Sequence, residues 1–249
     1  MPEAERVRRA RSFADVAAEY ERGRPSYPPQ AIRWVLGKAP VEVLDLGAGT
    51  GKLTAAVLAA GHRVWAVEPL EEMRALLARA VPEARTLDGT AEQLPLADES
   101  VDAVVVGAAF HWFDQRAALE EIGRVLRTPG VLGLLGNAFD TSTAWVASLR
   151  TILGPPALER PGHWPAAETL RERFEEVEDG EFHHSQRVDH RRLRDLVLSR
   201  SAVAGADGQG RELVLGEVDS LWEQQVELAG RSEAVLPWIA RVRRCRGLR

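Results

Sequence analysis

The chain has 249 residues, a formal net charge of −5 and a single cysteine. That length suits one α/β core with a small addition. The charge gives no global pull towards nucleic acid or an anionic membrane, and one cysteine excludes an intrachain disulfide or a cysteine-cluster metal site. No apolar run approaches the ~18 residues of a membrane helix. The charged start, with Glu3, Glu5, Arg6, Arg8, Arg9 and Arg11, lacks a signal peptide's apolar centre. A cytoplasmic location is the expectation.

Ser12 and Asp15 can cap a first helix, with Phe13, Ala17 and Tyr20 on one face. Gly23 and Pro25 stop it, and the extended run Arg24 to Pro29 follows. This segment either anchors the N-terminus or forms a lid in which Tyr20, Arg24 and Tyr27 close over a ligand. Gln30 to Gly37 reads as a helix. From Val41 the alternation of an α/β fold begins. Strands are predicted at Val41–Leu46, Arg63–Val67, Ala84–Leu87, Val101–Val106 and Val131–Leu135. Helices are predicted at Thr54–Ala60, Glu71–Ala80 and about Arg116–Leu126. Asp88 to Pro95 reads as a turn and one helical turn.

The second half is less regular. Helices are expected at Thr143–Leu153, Ala167–Phe174, Asp189–Ala204 and Leu213–Leu228, with a loop over Glu159–Pro165. Strands are expected at Val177–Val188 and Leu236–Cys245. The expected organisation is an N-terminal helical segment (1–40), a ligand-binding core (41–136), and substrate-side helices with the last two strands (137–249).

The most informative stretch is Val43 to Leu53, where an apolar strand runs into Gly47, Gly49 and Gly51 and then a helix. A phosphate-binding P-loop needs four residues between its first glycine and Gly-Lys, followed by Ser or Thr. Only three lie between Gly47 and Gly51, and Leu53 follows Lys52. A dinucleotide fingerprint needs a small third residue. Lys52 or Thr54 stands there, which weakens that reading and leaves it open. Asp45 ahead of the glycines suits a ligand with a positive amine. Glu68 ends the second strand, where an acid can accept both hydroxyls of a ribose.

These motifs resemble, in order, those of the class I S-adenosylmethionine-dependent methyltransferases. They are Val43 to Leu53, Val67-Glu68-Pro69, Gly89 to Pro95 and Arg124 to Gly130. The resemblance covers about residues 41–136. Tyr20-x-x-x-Arg24-Pro25-x-Tyr27-Pro28, Ala109 to Asp114, Ser199-Arg200-Ser201 and Leu236-Pro237-Trp238 extend it. They are similar to a small-molecule branch that includes trans-aconitate methyltransferase-like enzymes.

The resemblance implies a doubly wound, mostly parallel sheet of seven strands, with one antiparallel strand and helices on both faces. It implies S-adenosyl-L-methionine as cofactor. Gly47, Ala48 and Gly49 would approach its methionine part and ribose, and Asp45 its ammonium. Glu68 would bind the ribose hydroxyls, with Pro69 and Leu70 flanking. Thr90, Ala91 and Glu92 would meet the adenine edge. Many relatives have Asp where Thr90 stands. Gly107 and Ala108 would offer carbonyls near the methionine end, and Tyr20 and Arg24 would cover the ligand.

Methyl transfer is an in-line displacement and needs alignment more than a strong catalytic constellation. His111, just beyond the fourth strand, is the candidate general base or orienter, and the alternative is a ring bonded under the helix. Phe110, Trp112 and Tyr27 are candidate substrate contacts. His183 and His184 on one strand point to opposite faces, so no shared metal is expected. The expected function is methyl transfer to a small-molecule acceptor, a carboxylate or hydroxyl. The alternative is a non-catalytic cofactor-binding or partner-binding module on the same fold.

Overall fold

The computed structural model describes residues 16–154, 163–225 and 227–249. The proposed caps Ser12 and Asp15, with Phe13, lie outside the described residues, as do Pro155, Pro156 and most of the loop from Glu159. The strands are β1 (Glu42–Leu46), β2 (Arg63–Val67), β3 (Arg85–Leu87), β4 (Val101–Gly107), β5 (Leu126–Phe139), β6 (Phe174–Val188) and β7 (Ala234–Leu248). In the first half the helices are α1 (Ala17–Gly23), α2 (Pro29–Leu36), α3 (Lys52–Ala59), α4 (Glu71–Ala80) and α5 (Gln115–Val125). Further on lie α6 (Ala144–Leu153), α7 (Ala167–Arg171), α8 (His190–Leu198), α9 (Ser201–Ala204) and α10 (Gly208–Gln224). A 3-10 turn spans Phe110–Trp112.

The strands form one sheet in the order β3-β2-β1-β4-β5-β7-β6. β2, β1, β4 and β5 pair in parallel, with Leu44 opposite Trp65 on one side and Val104 on the other. β7 runs against β6. Its Arg241, Arg243 and Arg244 meet Glu181, Asp179 and Glu178 in turn, one series climbing as the other descends. Fold class and topology are those the motifs imply.

The described chain divides into two units. Of the described residues, the larger comprises 26–137, 163–182 and 240–249. Its central strands β1 and β4 are mostly apolar because both faces are covered. Leu44, Leu46, Val104, Val106, Leu132 and Leu134 pack with Ile122 and Val125 of α5. Val43, Ala103, Val105 and Leu135 turn to the other face, against Ile32, Val35, Leu53 and Val57 of α2 and α3. The order reverses at β1, which lies between β2 and β4, so a crevice opens beyond their carboxyl ends.

Of the described residues, the smaller unit comprises 16–25, 138–154, 183–225 and 227–239. Its core joins Trp145, Leu149, Leu196, Val218, Trp222 and Trp238. α1 and α8 meet so closely that a Cβ at Gly23 would overlap the Leu196 backbone. Gln186 links them to β7, donating to the Gly23 carbonyl at 2.9 Å and accepting from Trp238 at 3.2 Å.

Several boundaries differ from expectation. β5 begins at Leu126, because Leu126 already pairs with Val101 before a register shift. The helix expected over Asp189–Ala204 breaks at Ser199 and Arg200. Asp189 does cap its start, accepting from the Arg192 N–H at 2.6 Å. Ser199 Oγ, however, donates to the Leu196 carbonyl, and Arg200 is extended. α10 starts before Leu213, at Gly208, because Asp207 caps it through the Gly210 N–H. Asp88 to Pro95 holds a turn closed by a Thr90–Gln93 bridge, with no helical turn.

Candidate functional site

The glycine turn sits where β1 meets α3, at the reversal of the sheet. Gly47, Gly49 and Gly51 all have positive φ, at 69°, 58° and 92°. Their surroundings differ. A Cβ at Gly47 would press on Ala109 and Phe113, and one at Gly51 on Val81 and Leu77. At Gly49 a Cβ would meet nothing within 4 Å. The outer glycines therefore fit the turn against the protein, while the middle one faces open space.

Two carboxylates flank that space. Asp45 is fully buried and accepts from the Thr54 hydroxyl through Oδ2 at 2.6 Å. Its Oδ1 has no partner among the described residues. Burial pushes its pKa up to about 7, against the Thr54 hydrogen bond and with the help of the Glu68 charge. A buried, half-satisfied carboxylate fits a cationic group. Glu68 is buried too, but each of its oxygens has a backbone donor, Gly49 N–H at 2.9 Å and Leu70 N–H at 3.0 Å. Burial raises its pKa while those bonds and Arg74 lower it. Each oxygen keeps lone pairs for a ligand's hydroxyls. The residues present fit the sulfonium cofactor implied by the motifs.

Sequence reasoning missed two groups here. Arg74 on α4 donates to the carbonyls of Glu68 and Pro69 and pairs with Asp88 at 3.2 Å. It clamps the loops after β2 and β3, and its only sequence cue is its place one turn into α4. Thr50 is buried, with a hydroxyl that lacks a partner among the described residues. Its place between two glycines hid it, since turn residues are usually exposed.

The loop over Thr90, Ala91 and Glu92 is set from α5. Arg124 donates to the carbonyls of Leu94 and Leu96, and Glu121 accepts from the Leu94 N–H at 2.7 Å. This explains why the two motifs occur together. Ala91 is buried and Thr90 exposed. Glu92 accepts from the Asp114 N–H at 2.8 Å, joining the loop to the segment after β4.

Beyond β4, Ala108 takes φ 55° and the chain turns through Phe110–Trp112. Asp114 then caps α5 by accepting from Arg116 and Ala117 N–H groups. Phe110 is fully buried in the core, its ring 5.4 Å from Phe113, so it supports the turn rather than lining a pocket. His111 is half-buried, its ring 4.5 Å from Trp112 and 4.7 Å from His163. Tyr27 is buried, and its hydroxyl would stand 2.9 Å from a Cβ at Gly107. That places Tyr27 beside the end of β4. The larger unit thus brings together Asp45, the glycines, Glu68, Gly107, Ala108 and the Phe110–Trp112 turn around the carboxyl ends of β1, β2 and β4.

Tyr20 and Arg24 belong to the smaller unit. Arg24 lies 5.1 Å over the Tyr20 ring and donates to Ser199 Oγ and its carbonyl, both at 2.8 Å. These contacts tie Arg24 to the start of the Ser199-Arg200-Ser201 run. They also give Ser199-Arg200-Ser201 a structural reason. His183 is exposed and bonded to Asp140, whereas His184 is half-buried. No group of His, Cys, Asp or Glu among the described residues could hold a metal ion. No helix among them is long and apolar enough to cross a membrane.

A doubly wound sheet with an acid and a glycine turn at its reversal defines a nucleotide-cofactor protein, and this donor set defines the S-adenosylmethionine class. A methyltransferase-domain family profile matches residues 44–134. An uncharacterized methyltransferase of Mycobacterium tuberculosis is 42% identical over 231 residues, 92% of each chain. An uncharacterized methyltransferase-like protein of Schizosaccharomyces pombe is 32% identical over 85% of this chain and 86% of its own. Among solved structures, a candidate type II methyltransferase from Anaeromyxobacter dehalogenans superposes with a TM-score of 0.65. It is 26% identical and covers 90% of this chain and 97% of its own. The chain belongs to the class I S-adenosylmethionine-dependent methyltransferases. It is an enzyme, and its cofactor is S-adenosylmethionine.

Proposed function

We propose that this methyltransferase acts on a small-molecule acceptor bearing a hydroxyl or carboxylate. The observation that carries the reading is the half-satisfied Asp45 and the doubly anchored Glu68, one crevice away from the ring-lined turn at His111. Bound in that crevice, the cofactor supplies an electrophilic methyl on a sulfonium leaving group. Asp45 holds the ammonium, and Glu68 the ribose hydroxyls. Gly47, Ala48 and Gly49 bring backbone close to the ligand, while Pro69, Leu70, Thr90, Ala91 and Glu92 border the adenine. Gly107 and Ala108 lie at the methionine end. Tyr27 and Trp112 border the acceptor, and His111 takes or orients its proton. The extended motifs around Arg24 and Trp238 support the branch resembling trans-aconitate methyltransferase-like enzymes.

The test is methyl transfer from radiolabelled S-adenosylmethionine to a panel of small acids, phenols, alcohols and amines, with a structured RNA as control. Label in small acids or hydroxyl compounds is expected. Label in RNA alone, or none despite cofactor binding, contradicts the reading. In the second case the alternative, a non-catalytic module, takes its place.

A further inference from the structure

The loop before α7 puts a second imidazole on the His111 turn. His163 is 5% exposed, and neither of its ring nitrogens has a partner among the described residues. Buried polar groups are normally bonded. A neutral imidazole carries one donor and one acceptor, so it can hold a group of either kind. Its ring lies 4.7 Å from that of His111 at 31° and 5.8 Å from that of Trp164. With Trp112 this makes a wall of four rings in the larger unit, a surface that receives a planar partner face-on or edge-on.

Among the described residues, the charges at this wall are already committed. Arg243 lies 5.7 Å over Trp164, but two of its nitrogens are on the Asp179 carboxylate at 2.7 and 2.9 Å, and a third is on the Pro165 carbonyl. Asp114 is spent on the cap of α5. Burial holds His163 down to about 4, so it is neutral at pH 7. Among the described residues, an ionised carboxylate entering beside His163 would lose water and gain no side-chain cation, which is costly. An uncharged hydroxyl would find a bonding partner.

We propose that His163 is a second imidazole of the acceptor site, binding the hydroxyl of a planar, uncharged acceptor such as a phenol or enol. This rests on the methyl-transfer reading above and selects the hydroxyl from its two acceptor classes. In the step, the O–H bond breaks and its proton goes to His111, the base of the reading above, while neutral His163 holds the oxygen by donating its ring N–H. The oxygen forms the new C–O bond with the methyl carbon. The C–S bond breaks and its electron pair returns to sulfur, leaving a neutral thioether. One positive charge thus passes from sulfur to imidazole, and the site's net charge is unchanged.

The test uses the full chain saturated with S-adenosylhomocysteine, with histidine rings labelled for NMR and phenol and benzoate as probes. Phenol is expected to shift the His163 ring resonances saturably, and benzoate to leave them in place. His163→Phe keeps a ring in the stack but removes both nitrogens. It should weaken phenol about tenfold or more while S-adenosylhomocysteine affinity stays within twofold, the loss of one buried hydrogen bond. Equal shifts by both probes, no shift by phenol, or undiminished phenol binding in His163→Phe overturns the inference. The wild-type titration stands even if the variant fails to fold. Failure of S-adenosylhomocysteine to bind at all would instead overturn the methyl-transfer reading, and the inference with it.

Discussion

The two sides of the crevice are built differently. On the cofactor side, positions are fixed by short hydrogen bonds from backbone and neighbours: Gly49 and Leu70 to Glu68, Thr54 to Asp45, Arg74 to the carbonyls of Glu68 and Pro69. On the proposed acceptor side, the wall of His111, Trp112, His163 and Trp164 is arranged by ring contacts. Hydrogen bonds demand particular atoms at particular distances, whereas ring packing tolerates exchange of one flat group for another. Cofactor binding suits the first kind of construction, and acceptor binding can use the second.

Substitutions should separate the two sides. The largest effect is expected at Glu68. Glu68→Ala removes the group that Gly49 and Leu70 bind and the proposed contacts to the ribose hydroxyls. Calorimetry should show S-adenosylhomocysteine affinity falling about 100-fold. A loss of less than threefold would contradict the ribose assignment.

Asp45→Asn comes next, with about a 10- to 100-fold loss from removing one charge-assisted contact. It also carries a pH signature. Asp45 has a folded pKa of about 7 against an ordinary 3.8, so the folded protein binds this proton more tightly than the unfolded chain. Its contribution to stability is therefore full at low pH and is lost as pH rises from 3.8 through about 7. Free of ligand, the Asn variant should melt higher than the parent at pH 8 and show a flatter dependence on pH. A lower melting temperature at pH 8 would break the account of Asp45 as a strained carboxylate awaiting a cation.

Arg74→Ala should weaken the same ligand only about 3- to 10-fold, because Arg74 acts through the Glu68 loop and does not touch the ligand. The smallest effect on cofactor affinity is expected from His111→Ala, within twofold. Methyl transfer to any acceptor found should nevertheless fall about 100-fold or more if His111 is the base. Loss of cofactor affinity in that variant would move His111 to the other side of the crevice.

The cofactor side was legible in the sequence for the same reason that it is tightly built. Gly47, Gly49, Asp45 and Glu68 lie in one strand–turn–helix and at the end of the next strand, so the local pattern exposes them. The alternating strands were equally legible, and Glu71–Ala80 agrees at both ends with α4. What escaped depends on tertiary contact. Arg74 and Arg124 look like ordinary helix-surface arginines until the loops they hold are seen. Phe110 reads as a pocket wall but is core, since the 3-10 turn rotates it inward. His163 lies about fifty positions from His111, in a stretch without periodicity, and only the fold stacks them. The break between α8 and α9 comes from the Ser199 hydroxyl, which Arg24 fixes from far along the chain.

The most direct measurement is calorimetric titration of S-adenosylhomocysteine into the parent, Glu68→Ala, Asp45→Asn and His111→Ala proteins at pH 8. Two sides built separately predict a graded loss in the first two variants and unchanged affinity in His111→Ala. An unweakened Glu68→Ala, or a His111→Ala protein as impaired as the carboxylate variants, would contradict that division of the site.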